Sequence, residues 1–252
     1  MPKKIKLMIN FFRKIRQQLL SDSQVSKYFV YALGEIILVV IGILIALQIN
    51  NWNEYHNERI TEEKLLEEVV ENLKANTLRL QSMIDRCTED NQSADIIISA
   101  ITHKLPYSDS LDAHFYLALN PVDEGSFLSF VGYESLKNVG FEIIHTNQVK
   151  KEVINLFEGI YRELQAKYNR VTFNTTPKLN NFREQHFIFQ LDSATQRLGH
   201  KPMDFDLIIN DKKFKSKLEE TKGVRSWINE SLNMSLEKTR SVLKLLEDHL
   251  RD

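Results

Sequence analysis

Glu142 and His145 form the one E-x-x-H pair in the chain. At that spacing a helix can present a carboxylate and an imidazole to a single metal ion, as di-metal carboxylate proteins do. Such a centre needs a second copy of the motif and two further Glu residues on facing helices, and no second E-x-x-H occurs. The pair also follows Gly140 closely, so an ordinary capping or surface pair is the expectation. The seven His are otherwise scattered, and there is no H-E-x-x-H, no G-x-S-x-G and no glycine-rich phosphate loop. The sequence therefore predicts no enzyme, no metal and no cofactor. A single cysteine, Cys87, excludes a disulfide framework or a Cys-based zinc site within one copy. It falls on the apolar face of an expected helix, which suits a buried small hydrophobe. The sharper reading is an intermolecular disulfide across a two-fold axis in an oxidising compartment.

Glu35 is the sharpest residue of all, because of where it lies. It is the one ionisable acid or base in the twenty residues YFVYALGEIILVVIGILIAL, from Tyr28 to Leu47. At about 1.5 Å per helical residue this run spans roughly 30 Å, the thickness of a bilayer's hydrocarbon core. It is too long for a signal-peptide core, and Ala46-Leu47-Gln48 is a poor cleavage site. An uncleaved transmembrane helix over residues 28–49 is the expectation. A carboxylate there is costly unless it is protonated, paired or reaching for the interface. Gly42 and Ala46 are spaced as a small-x-x-x-small pair, with Gly34 two turns back on nearly the same side, so another helix could approach closely. The expected association strip is thus Gly34, Glu35, Gly42 and Ala46, packed against a second copy or another envelope membrane protein.

The flanks set the orientation. Residues 1–27 hold seven cations and one anion, whereas Arg59 and Lys64 are the cations in the fifteen residues after Ile49. By the positive-inside rule the N-terminus is cytoplasmic and the rest lies outside, in the periplasm of an inner-membrane protein. Before the span, apolar residues including Phe12 share one helical face, while Lys6, Arg13, Lys14 and Arg16 meet the anionic surface of the bilayer. This basic segment, residues 1–27, reads as an interfacial helix too short to hold an output domain. Beyond the span, Trp52 and Tyr55 sit where interfacial rings are favoured.

These segments carry a resemblance. FFRKIRQQLL (11–20), SKYFVYALGEIILVVIGILIALQINNWNE (26–54) and YESLKNVG (133–140) resemble a family of Bacteroidota membrane proteins, domain of unknown function DUF6090. The resemblance implies a single-span protein with a mainly helical external region, and it brings no activity, cofactor or catalytic residue.

The external region, residues 50–252, has little material for tight turns, since the whole chain holds 8 Gly and 5 Pro. Steps of three and four from Leu66 give Leu66, Val69, Leu73, Asn76, Leu80, Met83, Cys87, Asp90, Ala94, Ile97 and Ile101. Nine of these eleven are apolar, where an overall 42% predicts fewer than five, so a long amphipathic helix is expected. A short helix is predicted around Leu111 to Leu119, and another from a start signal at Glu124-Gly125-Ser126 to near Gly140. A third starts at Asn147 as N-cap and lines up Val149, Val153, Leu156, Phe157, Ile160, Leu164, Tyr168 and Val171. Pro177 is expected to kink or end it, with the helical pattern partly resuming from Phe182 to Phe189. Ser193 to Met203 reads as the best internal loop. A last helix starts near Asp211 and bends near Gly223. Tyr133, Phe141, Tyr161, Tyr168, Phe173, Phe182, Phe187 and Phe189 are expected in the core.

Apolar stripes of this kind must be buried against one another, which predicts an all-α fold: an interfacial helix and a single transmembrane helix, then an extracytoplasmic antiparallel bundle of long helices. Pairing of the Leu66–Ile101 seam between chains as a coiled coil ranks second. The near balance of 33 Lys and Arg against 34 Asp and Glu leaves no basic footprint for nucleic acid. The expected partners are the lipid bilayer and either a second copy or another envelope protein. The leading expectation is a non-enzymatic interaction or assembly module. The alternative is a sensory domain that relays ligand binding through the span. Any small-molecule site is expected around Ser126 to Phe141.

Overall fold

The computed structural model describes residues 23–121, 128–192 and 197–251. Lys6, Phe12, Arg13, Lys14 and Arg16 of the expected interfacial helix, the Glu124-Gly125-Ser126 start signal, and residues 193–196 of the expected loop lie outside them. The chain divides into two compact units, Met1–Ile60 and Thr61–Asp252. Helix α1, Ser23–Thr102, contributes to both. Among the described residues it is the one helix long and apolar enough to cross a membrane by length and composition, and none of its most apolar window is buried.

The second unit is mainly helical. The part of α1 that lies in it buries all eleven positions of the predicted seam, Leu66 through Ile101, within the chain's own core. After α1 come α2 (Leu111–Ala118), α3 (Val131–Val139), a 3-10 turn at Phe141–Ile143 and α4 (Asn147–Ile154). A π-helical turn, Asn155–Tyr161, joins α4 to α5 (Arg162–His186), and the chain ends in α6 (Phe205–Asn210) and α7 (Lys212–His249). One core cluster gathers Leu66 to Cys87 of α1 with Tyr133, Phe157, Tyr161, Leu232 and Leu246 among others. A second gathers Ala94 to Ile101 of α1 with Phe115, Leu179, Phe187, Phe214 and Leu218.

Helix starts are set by specific polar groups. Asp211 caps α7 by accepting the N–H of Lys213 at 2.8 Å, and Asp204 caps α6 by accepting that of Leu207 at 2.9 Å. Helix α3 begins at Val131, beyond the predicted start signal, where α1 supplies the partners. Asn76 Oδ1 accepts from Ser129 N and Asn72 Oδ1 from Gly132 N, both at 2.7 Å. These amides satisfy donors that a helix start leaves open. Gly132 is required there, because a Cβ would lie 2.4 Å from the backbone oxygen of Glu68.

Several expectations need correction. Pro177 does not end its helix, since α5 runs through it to His186. Phe187 to Phe189 do not resume a helix: Phe187–Asp192 is strand β1. Much of the expected loop is strand β2, Arg197–Pro202, paired antiparallel to β1 with Phe187 opposite Pro202 and Leu191 opposite Leu198. The aromatic and branched run Phe187-Ile188-Phe189 favours a strand. The hairpin rests on α2, with Gln190 bonded to Asp112 and the Cα of Gly199 so near that a Cβ would lie 3.2 Å from Asp112 Cβ. Asn147 is the first residue of α4 rather than its cap, a position held by Thr146. Helix α7 starts as expected and continues through Gly223.

Candidate functional site

Gly34, Glu35, Gly42 and Ala46 all lie on α1 and are exposed. A Cβ built at Gly34 or Gly42 would meet no atom within 4 Å. Trp52 and Tyr55 are exposed as well, and Trp52 stacks on His56 one turn later, with ring centroids 5.9 Å apart.

In the second unit the candidate chemistry is redistributed. Cys87 is a free, buried thiol. Burial, reinforced by the Asp90 carboxylate, raises its pKa, so it is a poor nucleophile, and a disulfide to another chain would need this face of α1 to open. Glu142 and His145 do not share a ligand. Glu142 faces Lys150 at 3.0 Å, whereas His145 turns to Glu62, its Nδ1 2.9 Å from Glu62 Oε2. The fully buried Glu62 carboxylate also accepts the His145 backbone N–H at 3.1 Å and has His249 Nε2 at 3.5 Å. This cluster fastens the end of α7 and the start of α4 to α1. Among the described residues no group of three or more His, Cys, Asp and Glu is placed to hold a metal ion.

The second unit carries a cleft of about 570 Å³. Met83 of α1, Leu128 and Phe130 of the segment before α3, and one face of the helix between Tyr161 and Asn180 form its walls. Phe130 meets Tyr161 edge-on, with centroids 6.0 Å apart, and the Tyr161 hydroxyl shares a 2.7 Å hydrogen bond with Thr239 of α7. Burial pushes the Tyr161 pKa up to about 12, which keeps that hydroxyl neutral. The π-helical turn ends at this wall, and such turns recur at functional sites. Residues 35–100 match the family of unknown function DUF6090. No curated protein and no solved structure matches the chain. The DUF6090 segment therefore holds Glu35, Gly42, Ala46, Trp52, Cys87 and most of the seam, and it supplies Met83 to the cleft.

The expected small-molecule region, Ser126 to Phe141, is met only in Leu128 and Phe130. Tyr133 is instead core, stacked on Phe157 at 4.4 Å. Of the aromatic residues expected inside, Tyr133, Tyr161 and Phe187 are buried, but Phe173 is 83% exposed and Phe189 59%. The missed wall carries a readable signal. Gln165, Asn169, Thr172 and Thr176 follow one another at helical spacing beside the apolar stripe, marking a second and more polar face.

Proposed function

We propose that the chain is a bitopic inner-membrane protein whose periplasmic helical bundle is a non-enzymatic interaction or assembly module of the cell envelope. One observation carries this reading. From Tyr31 to Ile49 the helix, apart from Glu35 and Gln48, carries apolar residues all round and is exposed along its whole length, a surface that water disfavours and a bilayer satisfies. The second unit buries its own core and does not use this stretch to do so. The excess of cations before the span supports a cytoplasmic N-terminus. Within lipid, Glu35 gains most by hydrogen bonding inside a helix contact, and Gly34, Gly42 and Ala46 leave room for the partner's backbone.

Crosslinking the wild type and Glu35→Leu in native membranes tests the association. The wild type is expected to give a discrete homotypic or heterotypic adduct, reduced several-fold in the variant. An unchanged adduct removes Glu35 from the contact, and no adduct in either protein overturns the assembly reading. A sensory role is the second reading. The cleft beside Tyr161 favours it, since a ligand there would bias helix packing only by binding one arrangement better than another.

A further inference from the structure

The cleft walls combine three properties that together select a ligand. The first is size: about 570 Å³ lies within the usual range for small-molecule sites, roughly 300–1,000 Å³. The second is the lack of formal charge among the described residues of the wall. Among the described residues no Asp, Glu, Lys or Arg lines it, although 27% of the chain is charged. An ionised ligand would lose its hydration and find no counter-charge among these residues, whereas water against Phe130, Leu164 and Phe173 finds few partners and is readily displaced. The third is a pair of amides one turn apart. The side chains of Gln165 and Asn169, both exposed on α5, make no hydrogen bond to another described residue, so each offers a donor and an acceptor beside the apolar wall.

We infer that this cleft binds an uncharged, mostly apolar small molecule carrying a hydroxyl or carbonyl group. The apolar body lies against Phe130, Tyr161 and Leu164, and the oxygen meets Gln165 or Asn169. Phe173, exposed at the mouth, loses its contact with water when the ligand is seated. The wall is set in advance by the Tyr161–Thr239 hydrogen bond and by the burial of Leu164 and Thr172, so little ordering cost is left for binding. This site stands whether or not the domain is periplasmic and whether or not binding is relayed.

The test uses the full chain in lipid nanodiscs at pH 7.5 and a long-chain alcohol bearing a photoreactive diazirine, with labelled peptides mapped by mass spectrometry. Saturable labelling within residues 161–180 is expected. Dodecanol should compete at least about tenfold better than dodecanoate of the same chain length, because only the carboxylate brings a charge. The Gln165→Leu/Asn169→Leu double variant should need at least about fivefold more dodecanol to compete while keeping the wild-type circular dichroism spectrum, because the hydroxyl loses its amide partners. Equal competition by alcohol and carboxylate, or labelling of 161–180 that does not saturate, would overturn the assignment. So would unchanged competition by dodecanol in the double variant. Because the competition is read on the wild type, a variant that fails to fold does not protect the proposal.

Discussion

Asn76 and Asp90 are the two residues that interrupt the apolar seam of α1, and each anchors a distant segment. Asn76 holds the backbone of Ser129 from both sides, donating to its carbonyl at 2.9 Å and accepting its N–H at 2.7 Å. Asp90 lies 3.8 Å from the buried guanidinium of Arg225. That guanidinium also donates to the carbonyls of Leu117, Ala118 and Asn120, closing the C-terminal end of α2. Arg225→Met would take the guanidinium away from Asp90 and leave those carbonyls without their donor, and it is expected to cost about 3 kcal/mol. Denaturant unfolding of the full chain in detergent measures this, and a loss below about 1 kcal/mol would contradict it. Gly132→Ala forces a Cβ onto the Glu68 backbone and should cost about 1–3 kcal/mol in the same assay. His200 supplies a pH dependence. Burial, with Arg183 nearby, lowers its pKa to about 4 from the usual 6.5. The unfolded chain therefore takes up the proton first, so this contribution is complete above pH 6.5 and is lost as pH falls towards 4. His200→Gln should flatten stability across that window, and an unchanged slope would assign the effect to other groups. At this scale the sequence marks Asn76 and Asp90 as exceptions. It hides their partners, which lie 53 and 135 residues away.

Elements were legible where one face repeats over many turns. The seam of α1, the short α2 and the start of α7 near Asp211 all follow from spacing and composition. The β-hairpin was not legible, because its strands are six residues each and its support is tertiary, from α2 through Asp112. Pro177 was over-read as a possible stop. It cannot donate to the carbonyl of Phe173, yet packing of Val171, Thr172 and Leu179 on either side holds the helix through it. Pro177→Ala should restore that hydrogen bond and raise stability by about 1–3 kcal/mol. A loss of stability would mean that the ring's place in the cleft wall outweighs the missing bond. The cleft was half legible for a related reason. Its aromatic residues read as core, and only the fold shows that Phe173 stays outside.

For the whole molecule, the central claim is that the apolar stretch beginning at Tyr28 crosses a bilayer and places residues 50–252 beyond it. The stretch itself was fully legible, since length and composition suffice to define it. What the strip would pack against was not, because small residues and one carboxylate specify a geometry without specifying a neighbour. The most direct measurement is protease treatment of intact spheroplasts expressing the full chain with an epitope tag after Asp252. The account predicts loss of the tag when protease is added outside, with a cytoplasmic control protein untouched. A tag that survives until the spheroplasts are lysed would contradict it.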